Sequence, residues 1–185
     1  MNSNYFKMIM KLNKVKYGKC LMLKGLPIIF NKSGATLSIG DNCTIISSFL
    51  SNLVGLYQRT IIVTRTTEAR IEIGNNVGIS GATIYARKGI TIGDYTLIGG
   101  NVKIIDNDFH PIEVEARNID DESKIGIKEI VIGRNSFIGA NSIILKGTEI
   151  GEGSVVGAGS VVSGKFPANV VIAGNPAKVI KELRS

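Results

Sequence analysis

A parallel β-helix, an all-β solenoid wound from short strands, is the fold class this 185-residue sequence predicts, on three observations. An aliphatic residue falls at every sixth position from Ile132 through Ile138, Ile144, Ile150 and Val156 to Val162. Four positions after each of the first five stands a small hydroxyl residue: Ser136, Ser142, Thr148, Ser154 and Ser160. Gly133, Gly139, Gly151 and Gly157 directly follow four of the aliphatics. Six is a multiple of the strand period of about two but not of the helical period of about 3.6. The pattern therefore means short strands broken by turns, and hexapeptide repeats mark the parallel β-helix.

In chain order, Met1 to Lys19 is basic, with Lys7, Lys11, Lys14, Lys16 and Lys19, while Phe6, Ile9, Met10 and Leu12 line one face of a short helix. Residues 1–36 are read as an arm that caps the open end of the solenoid, followed by a first irregular coil. The solenoid spans 37–172. Ile39-Gly40-Asp41-Asn42 opens one repeat and Ile45 follows, with Cys43 in the slot that Ser or Thr fills elsewhere. Gly-Asp or Gly-Asn after the aliphatic suits corners where φ is positive or the side chain bonds its own backbone. Residues 47–70 lose the pattern; Ile73-Gly74-Asn75-Asn76 restarts it, with Ile79 and Tyr85 in phase, and Ile92-Gly93-Asp94 starts again with Ile98 and Ile104.

Residues 106–130 break the repeat completely in a polar, charged stretch beginning Asp106-Asn107-Asp108-Phe109-His110-Pro111. Pro111 has no N–H to donate to a ladder, so the stretch is a loop thrown out from the wall, and long loops on rigid scaffolds carry function. The ladder resumes near Ile130. Ala173-Gly174-Asn175-Pro176 reads as a helix start, with Asn175 as cap and Pro176 in the first turn. A short C-terminal helix over 173–185 is expected, with Val179, Ile180 and Leu183 as its apolar face.

The net charge of +7 suggests an anionic partner: a phosphorylated cofactor, nucleic acid or an anionic membrane surface. No aromatic–basic interleaving points to nucleic acid, and none is expected as partner. Cys20 and Cys43 provide neither a disulfide framework nor a metal spacing, which favours a reducing compartment. No apolar run reaches the roughly 18 residues of a spanning helix. A cytoplasmic location is expected, with membrane proximity through the N-terminal lysines as an open question.

The uninterrupted repeats from Ile132, the loop opening Asp-Asn-Asp-Phe-His-Pro and the ending Ala-Gly-Asn-Pro-Ala-Lys-Val-Ile together resemble the hexapeptide-repeat acyltransferases of the left-handed β-helix kind. Within that family the chain is similar to the O-acetyltransferases of sugars and surface polysaccharides. The resemblance implies a left-handed solenoid, a homotrimer with active sites between subunits, acetyl-CoA as co-substrate and a sugar-type acceptor. It also implies that His110, the single histidine, is the general base that takes the proton from the acceptor hydroxyl. An imidazole titrates near neutral pH and suits that task.

Asp106, Asp108 and His110 alternate, so an extended backbone would place all three on one face. The carboxylates could orient the imidazole or complete a metal set; no metal is expected. Glu113 and Arg117, further into the loop, are candidates for touching the acceptor. For the donor, Gly139, Ala140 and Ala158 keep a wall low enough for a pantetheine arm, and Lys165 and Lys178 are the candidates for its phosphates. N-acetylation of a nucleotide-linked amino sugar and xenobiotic acetylation are the alternatives within this class. A non-catalytic solenoid scaffold is the alternative outside it.

Overall fold

The computed structural model describes residues 3–183; residues 1–2 of the expected arm and 184–185 of the expected terminal helix lie outside them. Helix α1 (Ser3–Leu12) covers the first coil. It sinks Met10 into the core and sets Phe6 against Tyr17, ring centroids 5.5 Å apart.

The first coil is β1 (Lys16–Tyr17), β2 (Met22–Lys24) and β3 (Ile28–Asn31), and the second is β4 (Thr36–Ile39), β5 (Thr44–Ile46) and β6 (Ile61–Thr64). The third is β7 (Arg70–Ile73), β8 (Gly78–Ser80) and β9 (Thr83–Ala86); the fourth is β10 (Gly89–Ile92), β11 (Leu97–Ile98) and β12 (Lys103–Ile105). The fifth is β13 (Ile130–Ile132), β14 (Phe137–Ile138) and β15 (Ile143–Ile144); the sixth is β16 (Glu149–Ile150), β17 (Val155–Val156) and β18 (Val161–Val162). A partial seventh holds β19 (Lys165–Phe166) and β20 (Val170–Gly174), and β21 (Ala177–Glu182) ends the described chain.

First, second and third strands of successive coils stack into three parallel sheets, here faces A, B and C. The repeat becomes a set of stacked columns. Ile39, Ile73, Ile92, Ile132 and Ile150 pair in register down face A. Ile45, Ile79, Ile98, Ile138 and Val156 do so down face B. Ile62, Ile84, Ile104, Ile144 and Val162 do so down face C. All are buried, and each adds roughly 1.5–3 kcal/mol by leaving water. The hydroxyl residues of the repeat fold inward at the corners, where their O–H groups donate to carbonyls: Ser136 to Gly133 (2.7 Å), Ser142 to Gly157 (3.0 Å), Ser160 to Gly157 (2.6 Å). Cys43 fills the same slot, with its thiol toward the Gly74 carbonyl.

The glycine after each aliphatic has a different cause from the one its sequence suggests. The left-handed residue of the corner is the asparagine that follows, as at Asn42, Asn76 and Asn135 (φ near +57°). Gly139 is needed for stacking, because a Cβ there would stand 2.5 Å from the Ala158 nitrogen of the next coil.

Three expectations are corrected. Segment 47–70 is not outside the ladder: β6 pairs with β3 and β9, and only 47–60 departs, at the corner between faces B and C. Tyr85 is outward, and Ile84 takes the buried column position, because the Gly81-Ala82 corner is one residue shorter. The C-terminal segment is no helix. After Asn175-Pro176 the chain reverses, and β21 runs back antiparallel along β20, Ala173 beside Lys178. A free edge of face B offers backbone partners there that a solvent-exposed helical turn would lack.

Candidate functional site

The loop 106–129 leaves the solenoid at the corner between faces C and A. Its base is built on Asp106, fully buried, whose carboxylate accepts from the backbone N–H of Arg87 (2.8 Å), Lys88 (2.7 Å) and Gly89 (2.8 Å) in the coil below. Asn107 bridges to Ile127 across the loop neck. Its side-chain oxygen accepts from Phe109 N–H (3.0 Å), and Phe109 takes a left-handed φ of 63°. That turn breaks the strand alternation. The expected common face of Asp106, Asp108 and His110 is therefore not formed: Asp106 points into the solenoid, Asp108 pairs with Lys146 of the next coil, and His110 is exposed at the rim.

His110 is nonetheless fixed at its backbone. Its N–H donates to the Asp108 carbonyl (2.7 Å), and the preceding Phe109 ring packs on Tyr85 with centroids 4.9 Å apart. Asp108 in turn donates its N–H to Gly126 O (3.0 Å). A Cβ on Gly126 would crowd the ends of the Asp108 and Lys146 side chains, which meet beside it. Both carboxylates proposed from sequence thus position the loop and do not touch the imidazole. Arg117, in α2 (Val114–Asn118), turns back to donate to the carbonyls of Pro111 (3.2 Å) and Ile112 (2.8 Å), while Glu113 is exposed ahead of that helix. Further out, Glu122 pairs with Arg87, whose guanidinium holds the Glu122 carboxyl below its usual range.

Face C has a second wall that the sequence reading missed. Segment 47–60 is clasped at its neck, where Thr60 Oγ1 donates to Ile46 O (2.8 Å) and Thr60 N–H to Ser47 Oγ (3.2 Å). It leans over the next two coils. Leu56 is buried against Gly81 and Gly100, Asn101 Oδ1 accepts from Tyr57 N–H (3.1 Å), and Asn101 Nδ2 donates to Gly55 O (3.0 Å). Gln58 Nε2 donates to Gly81 O (2.9 Å) and Thr83 Oγ1 (2.8 Å). Lys103 Nζ donates to Gln58 Oε1 (3.1 Å) and sits 5.6 Å from the Tyr57 ring centroid. The outward side of face C lies between these walls.

The donor candidates divide. Gly139, Ala140 and Ala158 stack at the corner between faces B and C, joined by Gly139 N–H to Val156 O (2.8 Å) and Gly159 N–H to Ala140 O (2.9 Å). No side chain larger than a methyl stands on those three, which suits an extended pantetheine arm. Lys178 lies beyond that corner on β21, next to Ala173. Lys165 does not join them: it is on face A, paired with Glu149 at 2.7 Å. A groove of about 560 Å³ between Thr66, Arg70, Arg87, Lys88 and Glu129 lies behind the loop and does not include His110. Among the described residues, no group of three or more His, Cys, Asp or Glu side chains is placed to hold a metal ion. None of their helices is long and apolar enough to cross a membrane.

Residues 129–163 match the family described as the hexapeptide repeat of succinyl-transferase. A Dictyostelium discoideum protein classed by inference as an acetyltransferase is 43% identical over 122 residues, 62% of each chain, so the match spans about three fifths of that relative. A galactoside acetyltransferase solved with coenzyme A superposes with a TM-score of 0.65 at 26% identity, covering 100% of this chain and 74% of that one. A maltose O-acetyltransferase from Clostridium difficile gives 0.60 at 26%, covering 100% and 79%. An N-acyltransferase from Bacillus cereus, as a mutant with dTDP and coenzyme A, gives 0.74 at 23%, covering 100% and 90%, a likeness of fold alone. Repeat, three-faced winding and these likenesses together make the fold a left-handed parallel β-helix of hexapeptide repeats, similar to that of the galactoside and maltose acetyltransferases.

Proposed function

We propose that the protein transfers an acetyl group from acetyl-coenzyme A to a hydroxyl of a sugar or surface-polysaccharide precursor, with His110 as general base. The observation that carries this is the presentation of the single histidine at the rim of face C, its backbone locked by the Asp108 turn and the Phe109–Tyr85 contact. The galactoside and maltose acetyltransferases support the sugar-hydroxyl class, and the coenzyme A bound to the former supports the donor. Bound acetyl-coenzyme A supplies the thioester. His110 takes the proton as the acceptor oxygen bonds to the acetyl carbon, and it returns that proton to the sulfur when the C–S bond breaks. The Asp106 and Asp108 carboxylates tie the loop to residues 87–89 and to Lys146, and so fix the backbone that carries the imidazole. A cytoplasmic location goes with the coenzyme.

His110 stands at one edge of face C and the low glycine–alanine corner at the other. A neighbouring copy would bring one chain's histidine to another's low corner, which favours a homotrimer with shared sites. Face C is suited to burial, with Ile61, Val63, Ile105, Ile143 and Leu145 outward, whereas face A carries Arg70, Glu72, Glu149 and Lys165. Light scattering should give a trimer; a fully active monomer would refute the shared site. Thiol release from acetyl-coenzyme A with a panel of sugars, amino sugars and nucleotide sugars tests the activity. Release that depends on His110 supports it, and wild-type release equal to His110→Ala overturns it.

A further inference from the structure

The reaction just described leaves one ordered cation on face C without a task. Lys103 opens β12 and points outward, and among the described residues no carboxylate pairs with it. An ammonium has three protons to donate, and Gln58 Oε1 takes one. The surroundings hold the head group in place. Both Gln58 amide protons are committed, to Gly81 and Thr83, so its oxygen is what faces Lys103. Tyr57 offers its ring to the same ammonium while Asn101 holds the Tyr57 backbone. A lysine with free rotamers loses entropy on gripping a ligand; one already held by an amide and a ring loses less.

Its place relative to the histidine is set by the ladder. Lys103 pairs in register with Thr83, and Ile105 with Tyr85. Thr83 receives Gln58 and Tyr85 receives Phe109, the neighbour of His110. Thr83 and Tyr85 lie two residues apart on β9, about 7 Å along the strand, with both side chains outward. The cation and the base therefore flank one short stretch of a single face.

We propose that Lys103, held by Gln58 and Tyr57, determines acceptor specificity by binding an anionic substituent, a carboxylate or a phosphate, on the sugar whose hydroxyl faces His110. The assignment rests on the acetyl-transfer reading for the role of His110. The anion's own binding can be measured without turnover. Segment 47–60 then has a function: it is the part of the chain that brings Tyr57 and Gln58 to Lys103.

The test is calorimetric titration of glucuronate, glucose 6-phosphate and glucose into wild-type protein and into the Lys103→Met and Lys103→Arg variants, each checked for an unchanged melt. Wild type should bind at least one of the two anions about tenfold more tightly than glucose, a typical size for a charge-assisted hydrogen bond. The better of the two identifies the group. Lys103→Met should erase that preference and Lys103→Arg should retain most of it. Equal binding of all three ligands, no binding of any, or a preference that survives Lys103→Met overturns the proposal. So does a loss of coenzyme A affinity in place of anion affinity. Thiol release that fails with every acceptor while the anion preference persists would refute acetyl transfer and leave Lys103 assigned.

Discussion

The two excursions from the solenoid, 47–60 and 106–129, leave neighbouring corners and flank the same face, yet they are held by opposite chemistry. The first is fixed by an apolar plug, Leu56, by neutral hydrogen bonds from Asn101 and Gln58, and by a Lys103 ammonium on Gln58 and Tyr57, with no carboxylate taking part. The second is fixed by carboxylates: Asp106 on three backbone N–H groups, Asp108 on Lys146, Glu122 on Arg87. Neutral contacts are indifferent to pH and salt, whereas charged ones are strong, directional and titratable. The loop that carries His110 is the one anchored by charge.

The largest effect that separates the two loops is catalytic. His110→Ala should lower thiol release by about 10²–10⁴-fold, while Leu56→Ala in the other loop lowers it far less; purified variants in the same assay decide this. Next comes Asp106→Ala, which strands three N–H donors, that of Gly89 buried, and should cost about 3 kcal/mol in denaturant unfolding. Asn101→Ala loses two hydrogen bonds of the neutral loop and should cost about 1–2 kcal/mol. A reversed order would mean that the carboxylate is not the main anchor.

Lys146→Met should lower turnover about tenfold through a mispositioned His110. Lys146→Arg should restore most of it, and Asp108→Asn should reproduce the loss; a methionine variant with normal kcat would remove Lys146 from the positioning role. The smallest effect is that of pH. Because Arg87 depresses the Glu122 carboxyl, its tie contributes above the ordinary Glu value of about 4.3 and is lost as pH falls through the depressed one. Hydrogen exchange over 112–125 should accelerate on acidification through that window while exchange over 49–57 does not. Equal acceleration in both would show that the charge-based distinction does not govern loop mobility.

The late coils were legible because each residue type there has a single cause: aliphatics for the core column, hydroxyls for the inward corner, glycines for the close approach of coils. The same logic failed where tertiary pairing decided the outcome. Residues 61–64 carry no repeat of their own and became a strand because β3 and β9 offer partners in register. The terminal segment had a helix's opening residues and became a strand because β20 had an open edge.

His110 was legible as the single histidine in a break of the repeat. Lys146 left no trace, since its partner Asp108 is 38 residues away in sequence. Lys103 likewise read as an ordinary outward residue, its holders Tyr57 and Gln58 belonging to a segment without periodicity. The alternation of Asp106, Asp108 and His110 misled because the strand ends at Ile105 and Phe109 turns left-handed.

The Asp106 clamp has a consequence for where the molecule comes apart. It joins the third and fourth coils at the point where the chain leaves for the loop, and face A continues from β10 to β13 without a lost rung. In a quasi-one-dimensional stack each coil is held mainly by its two neighbours, so thermal opening starts at the ends and works inward. The coils that carry His110, Lys103 and Lys146 lie in the interior of that stack. Fraying of the N-terminal end can proceed through one or two coils before it reaches them, so that end serves as insulation, whereas fraying of the C-terminal end meets Lys178 on β21 first.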